Sequence, residues 1–191
     1  MVNCQNGEMM LQRLDADQCV FLIIDLQERV LPVQFESDRV ASNIARFIRG
    51  ANYFKIPVFI IEQNPDKLGN TPSLVVEQAK EPIYIEKNTI SCLKNNEFLE
   101  LLTGMGRKQL ILSGSETQIC VQKTALDAMD AGYEVFVLGD GVTSRTEKNI
   151  DMGLNRVAQA GGVIESTEGA LFEFVLKSDD ADFKQVLKII K

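Results

Sequence analysis

Short runs of apolar residues alternate along the chain with segments in which apolar residues recur every three or four positions. The run at 19–24 is almost continuously apolar, which is typical of a strand covered on both faces. Apolar residues with helical spacing follow at about 38–53. The pattern then repeats, with strands predicted at 57–61, 82–85, 109–113, 134–138 and 163–165, and helices at 96–102, 117–131, 147–160, 168–176 and 181–190.

This alternation of strands and helices predicts the fold class. Buried strands joined by helices form a parallel sheet with helices on both faces, so we expect a three-layer α/β/α fold with a six-stranded, mostly parallel, Rossmann-like sheet. The sequence has no internal repeat and no linker-like change of composition. We therefore predict a single domain over 1–191, in which 1–16 form an N-terminal extension.

Reactive side chains follow several of the predicted strands, at the sheet edge where α/β folds bind ligands. Asp25 follows the first strand, Lys87 the third, and Cys120 lies just after the fourth. A thiol at a strand-to-helix turn lies near helix-end amides, which favour the thiolate and suit a nucleophile. Each residue also has an ordinary structural interpretation: Cys120 as a buried hydrophobe, Asp25 as a helix cap and Lys87 as a solvated cation. Their coincidence at one edge favours a nucleophilic site.

Composition and charge narrow the chemistry of such a site. The chain has no histidine, so a Cys-His pair and a histidine metal site are impossible, and we expect no metal and no cofactor. A net charge of -7 without a basic run argues against nucleic acid, and the short apolar runs argue against a membrane span. The N-terminus lacks a secretory signal pattern and the four cysteines lack disulfide spacing, which predicts a cytoplasmic location.

Four segments in order resemble the isochorismatase-like cysteine hydrolases, and the resemblance covers nearly the whole chain. The segments are 21–27 (FLIIDLQ), 86–91 (EKNTIS), 114–121 (GSETQICV) and 140–145 (DGVTSR). Residues 62–71 (EQNPDKLGNT) resemble the branch that includes the isochorismatase-domain-containing proteins. The resemblance implies a catalytic triad of Asp25, Lys87 and Cys120, a small-molecule substrate and a homo-oligomer.

The resemblance also implies details of the site. It implies a cis peptide bond between Ser115 and Glu116, which would direct the backbone N–H groups of Glu116 and Cys120 at a developing oxyanion. Four further residues in these segments are candidates for the substrate pocket: Gln27, Gln63, Ile90 and Thr117.

Two functions fit these residues. Nicotinamidases of the superfamily carry a histidine-rich metal site, which this chain lacks, and true isochorismatases do not need the nucleophilic cysteine. We therefore expect a cysteine hydrolase that acts through a thioester on a non-peptide C–N bond of a small amide, ureide or related carbonyl compound. The alternative is a catalytically weak or non-enzymatic oligomer that binds ligands or senses oxidants through Cys120.

Overall fold

The six predicted strands pair into one sheet in the computed structural model, which describes residues 12–191. The strands are β1 (Cys19–Ile24), β2 (Val58–Gln63), β3 (Ile83–Lys87), β4 (Gln109–Gly114), β5 (Glu134–Val142) and β6 (Val163–Glu165). Their order is β3-β2-β1-β4-β5-β6, and every neighbouring pair is parallel. The predicted six-stranded α/β/α fold is confirmed.

Eight α-helices are described between and after these strands. They are α1 (Ser37–Tyr53), α2 (Pro65–Leu68), α3 (Ser73–Val76), α4 (Asn96–Gly104), α5 (Gln122–Asp130), α6 (Glu147–Gln159), α7 (Thr167–Glu173) and α8 (Ala181–Ile190). Helices α1, α7 and α8 bury their apolar faces against one side of the sheet. Helices α4, α5 and α6 cover the other side, so both faces of the sheet are buried.

Strand β1 is apolar throughout because both of its faces are buried. Successive side chains of a strand point to opposite faces. Phe21 and Ile23 pack into the core beneath α1, whereas Leu22 and Ile24 pack into the core beneath α4–α6. The Phe21 and Phe47 rings meet with their centroids 4.6 Å apart, which fixes α1 on the central strand.

Two regions differ from the sequence prediction. Strand β5 continues to Val142 beyond the predicted end at 138, because a shift in register after Leu112 lets Gly114 pair with Val142. The short helices α2 and α3 lie in a segment for which no element was predicted.

Of the predicted N-terminal extension at 1–16, the structure describes only residues 12–16. The N-terminal segment whose sequence argues against a secretory signal lies outside the described residues. Between residues 12 and 191, none of the helices combines the length and the apolar character needed to cross a bilayer.

Candidate active site

Asp25, Lys87 and Cys120 lie together beyond the carboxyl ends of the strands. The Nζ atom of Lys87 lies 2.8 Å from Oδ2 of Asp25 and 3.9 Å from Sγ of Cys120. The three residues are only 4%, 1% and 6% exposed, respectively. The structure therefore brings all three predicted catalytic residues into one buried cluster in which a thiol lies beside an ion pair.

Lys87 reaches this cluster from the edge of the sheet. Its strand, β3, is separated from β1 by β2, so the side chain has to cross two strand spacings of about 4.8 Å each. Lys87 is the last residue of β3 and lies opposite Gln63 in the register with β2. Its long flexible stem passes over the end of β2 to Asp25. The order of elements along the chain does not reveal this contact.

The ammonium group of Lys87 is fully used. It donates to Asp25 Oδ2, to Gln63 Oε1 at 2.7 Å and to the carbonyl oxygen of Thr89 at 3.2 Å. The sulfur of Cys120, at 3.9 Å, is a fourth and longer contact of this group, which has three protons to donate. Lys87 therefore holds its positive charge beside the Cys120 sulfur, while its three shortest hydrogen bonds go to oxygen atoms.

Asp25 has one oxygen free to accept a proton. Its backbone turns directly after β1 with φ 52°, a left-handed conformation that aspartate tolerates better than most residues. Oδ2 is bound to Lys87, whereas the buried Oδ1 has no hydrogen-bond partner among residues 12–191. Burial raises the pKa of Asp25, and the charge of Lys87 offsets part of that shift. This is the environment of a general base.

Cys120 rests as a neutral thiol. Burial raises its pKa, the negative charge of Asp25 raises it further, and Lys87 lowers it only in part. The expectation of a thiolate is therefore wrong, because burial and the neighbouring carboxylate both raise the pKa of the thiol. Asp25 and Cys120 titrate as a coupled pair, and the thiol proton has to pass to a base when the sulfur attacks.

The turn that carries Cys120 is made by left-handed residues. Gly114 has φ 121° and Glu116 has φ 53°, and all peptide bonds of the described residues are trans. The cis bond predicted between Ser115 and Glu116 is therefore wrong, since these two φ angles reverse the chain without it. A Cβ at Gly114 would collide with the Ile24 carbonyl, so glycine is required where β4 passes the end of β1.

A π-helical turn, Thr117–Val121, follows and continues into α5. The sequence predicted one α-helix from 117, because a π turn leaves no clear signal in hydrophobic spacing. Such turns are rare and are frequent at functional sites. Gly153 of α6 packs against Thr117 so closely that a Cβ there would lie 2.8 Å from the Thr117 carbonyl carbon. Helix α6 therefore supports the turn from behind.

The backbone N–H groups of the turn differ in their availability. The N–H of Ser115 donates to the carbonyl of Ile24 at 2.8 Å, whereas the N–H of Glu116 donates no hydrogen bond within the described part of the chain. The Glu116 carboxylate accepts hydrogen bonds from Gln34 Nε2 at 2.9 Å and from Arg145 Nε at 3.1 Å. Gln34 and Arg145 were not predicted, because nothing in their spacing links them to the turn.

The four candidate pocket residues divide into two pairs. Gln63 accepts a hydrogen bond from the Lys87 ammonium. Ile90 lies three residues after Lys87 in the chain and is 49% exposed. Gln27 and Thr117 are almost fully buried and engaged in support. Gln27 donates to the carbonyls of Gly69 and Gln63, and Thr117 Oγ1 donates to Thr143. Both side chains therefore support neighbouring loops, and their place in the pocket wall stays a prediction.

The described residues were also searched for side chains that could bind a metal ion together. Across residues 12–191, no group of three histidine, cysteine, aspartate or glutamate side chains is arranged to hold a metal ion. The chemistry available at the cluster is nucleophilic attack by sulfur, proton transfer to a carboxylate and electrostatic stabilisation by a lysine.

Comparisons with known proteins agree with this architecture. The family model for the isochorismatase domain matches residues 19–169. The secreted isochorismatase effector Isc1 of Phytophthora sojae (strain P6497) is 33% identical over 185 residues, which are 95% of this chain and 88% of that protein. Isochorismatase domain-containing protein 2 of Danio rerio is 32% identical over 179 residues, which are 93% and 89% of the two chains.

A solved structure extends the comparison to the whole fold. The YcaC gene product of Escherichia coli, described as an octameric hydrolase of unknown specificity, superposes with a TM-score of 0.87 at 25% identity. The match covers 94% of this chain and 91% of that one.

Proposed function

The chain belongs to the isochorismatase family, and from this premise we propose that it is a cysteine hydrolase that cleaves a C–N bond in a small amide, ureide or related carbonyl compound. The observation that carries the proposal is the free Oδ1 atom of buried Asp25 in a cluster with the thiol of Cys120 and the ammonium of Lys87. A scaffold or binding module has no use for this combination.

The reaction begins with transfer of the Cys120 proton to Asp25. The sulfur forms a bond to the substrate carbonyl carbon, and the C=O electron pair moves onto the oxygen to give a tetrahedral oxyanion. Lys87 stabilises the thiolate that forms during the transfer, because its charge is held 3.9 Å from the sulfur. The raised pKa of Asp25 suits a group that has to accept a proton and later return it.

The second half of the cycle returns the proton. Asp25 protonates the leaving nitrogen as the C–N bond breaks, which leaves a thioester on Cys120. Asp25 then accepts a proton from water as the water oxygen bonds to the thioester carbon. The C–S bond breaks, Asp25 returns its proton to the sulfur, and the acid product leaves. The N–H of Glu116 is the best available donor to the oxyanion, and one such donor is worth about 2.7–4 kcal/mol in other enzymes.

The competing function is a redox sensor or a non-enzymatic binding module. Sensor cysteines are accessible and have a low pKa, whereas Cys120 is 6% exposed and burial raises its pKa. These properties argue against a redox sensor. We further propose a homo-oligomer, a proposal supported by the octameric E. coli relative.

A substrate screen with trapping tests the proposal. The full-length protein is incubated with a panel of small amides and ureides, and release of ammonia or amine is measured with and without hydroxylamine as an acyl acceptor. We expect a hydroxamate from at least one compound and an acyl adduct on Cys120, both lost in Cys120→Ala and retained in Cys92→Ala. Turnover that survives in Cys120→Ala would contradict the proposal.

A further inference from the structure

A second cleft lies at the β3 edge of the sheet, away from the triad. Its volume is about 530 Å³, within the range of small-molecule sites. Its walls include Glu28, Glu62, Asn70, Thr71, Tyr84 and Glu86. Strand alternation turns Tyr84 and Glu86 toward the face of the sheet opposite Lys87. None of Asp25, Lys87 and Cys120 lines this cleft, so it is a separate site.

Three glutamates contribute carboxylates to the walls of this cleft. None of Glu28, Glu62 and Glu86 forms an ion pair with a lysine or arginine between residues 12 and 191. Glu62 is only 8% exposed, and its Oε1 accepts the backbone N–H of Thr71 at 2.6 Å. Its other oxygen has no hydrogen-bond partner in the same range. That oxygen is not buried, so it is accessible to a positively charged ligand in the cleft.

Thr71 points to a ligand independently of the acids. It is 5% exposed, lines the cleft, and its hydroxyl has no hydrogen-bond partner among the described residues. Buried hydroxyls are nearly always hydrogen-bonded, so an unpartnered one on a residue that lines a cavity is a contact point for a ligand. The hydroxyl oxygen can accept a hydrogen bond from an N–H donor.

Tyr84 supplies an aromatic wall. Its ring is half exposed at the cleft, and burial together with the charge of Glu62 raises the pKa of its hydroxyl. Tyr84 lies opposite Ile60 in the register of β2 and β3, so it is the diagonal neighbour of Glu62 on the same face of the sheet. An aromatic face next to carboxylates is the usual environment of an organic cation.

We propose that this cleft binds a small organic cation, an alkylammonium or alkylguanidinium, whose N–H groups donate to the Glu62 carboxylate and the Thr71 hydroxyl. A bare metal ion fits less well, because no three acidic side chains of the described residues lie close enough to share one. The volume of the cleft also accommodates a polyatomic ligand.

Titration by NMR tests this site in the full-length, ¹⁵N-labelled protein, with methylguanidinium and n-propylammonium as probes. We expect saturable shifts of the Thr71 and Tyr84 amide signals. Glu62→Gln retains the acceptor for the Thr71 N–H but removes the charge, so affinity should fall about tenfold or more. Thr71→Val and Glu86→Gln should also weaken binding. Glu100→Gln, an exposed change on α4, is the matched control and should leave affinity unchanged.

Three outcomes would overturn the proposal: shifts that do not saturate, equal affinity in wild type, Glu62→Gln and Glu86→Gln, or displacement of the probes by Ca²⁺ as the tighter ligand. Glu86→Gln keeps the test decisive if Glu62→Gln fails to fold, since Glu86 is an exposed residue of an edge strand. The measurement is independent of hydrolase activity.

Discussion

Replacement of Lys87 by methionine isolates the energetic role of the buried ion pair. The substitution keeps most of the side-chain volume but removes a charge whose side chain is fully buried, opposite an Asp25 side chain that is 6% exposed. At the 2.8 Å separation and an effective dielectric constant of about 20, the gross attraction between the two charges is about 6 kcal/mol. Removal of one partner of a buried pair leaves the other charge uncompensated, and the net cost is about 3–5 kcal/mol.

The pH dependence of this loss identifies its cause. Because Lys87 lowers the pKa of Asp25 against the effect of burial, its removal raises that folded-state pKa further above the unfolded value. A raised carboxyl pKa makes stability fall as pH rises from the unfolded pKa to the folded one, so the variant should lose more stability at high pH than the wild type. The difference in unfolding free energy should therefore be largest near about pH 8 and shrink toward about pH 5.

Urea unfolding across this pH range measures the effect, provided that the m value is unchanged. Lys94→Met is the matched control. Lys94 is 67% exposed and lies 4.0 Å from Asp127, so its loss should cost no more than about 1 kcal/mol at any pH. A cost of Lys87→Met as small as that of the control, or equal at both ends of the pH range, would refute this role of the ion pair.

Three further substitutions test separate parts of the site. Asp25→Asn should lower turnover about 10²–10⁴-fold in a steady-state assay, since the proton acceptor is lost while the fold persists by circular dichroism. Gln63→Met removes one of the three oxygen acceptors of Lys87 and should lower turnover about tenfold, with little change in KM. Gly114→Ala should destabilise the protein by about 3 kcal/mol or more in urea unfolding, because of its positive φ and the Ile24 carbonyl. Gly104→Ala, which meets open space, is its control, and equal effects of the two alanines would contradict this explanation.

Much of the fold was predictable because one signal, apolar periodicity, specifies both element type and burial. The continuous run at Cys19–Ile24 required cover on both faces, and the structure has it. Strand order was not accessible in the same way, since it depends on long-range pairing. The contact between Lys87 and Asp25 across the end of β2 is a consequence of that order.

The details of the site were less predictable, because they depend on desolvation and backbone geometry. The sequence predicted a thiolate at Cys120 from nearby amides, but the balance of burial and charge that favours the thiol arises only in three dimensions. The left-handed Glu116 likewise replaced the predicted cis bond. Gln27 resembled a pocket residue, yet its amide is used to hold the carbonyls of Gln63 and Gly69.

The most direct test of the account is the pH dependence of Cys120 alkylation. Peptide mass spectrometry after a brief iodoacetamide pulse gives the reactivity of each thiol in wild type, Asp25→Asn and Lys87→Met. Buried Cys19 and Cys92, whose pKa values burial raises to about 12, are internal controls that become labelled only if the protein unfolds. We predict that the midpoint for Cys120 moves to lower pH in Asp25→Asn and to higher pH in Lys87→Met. Identical midpoints in the three proteins would contradict the assignment of Asp25 and Lys87 as the groups that control the nucleophile.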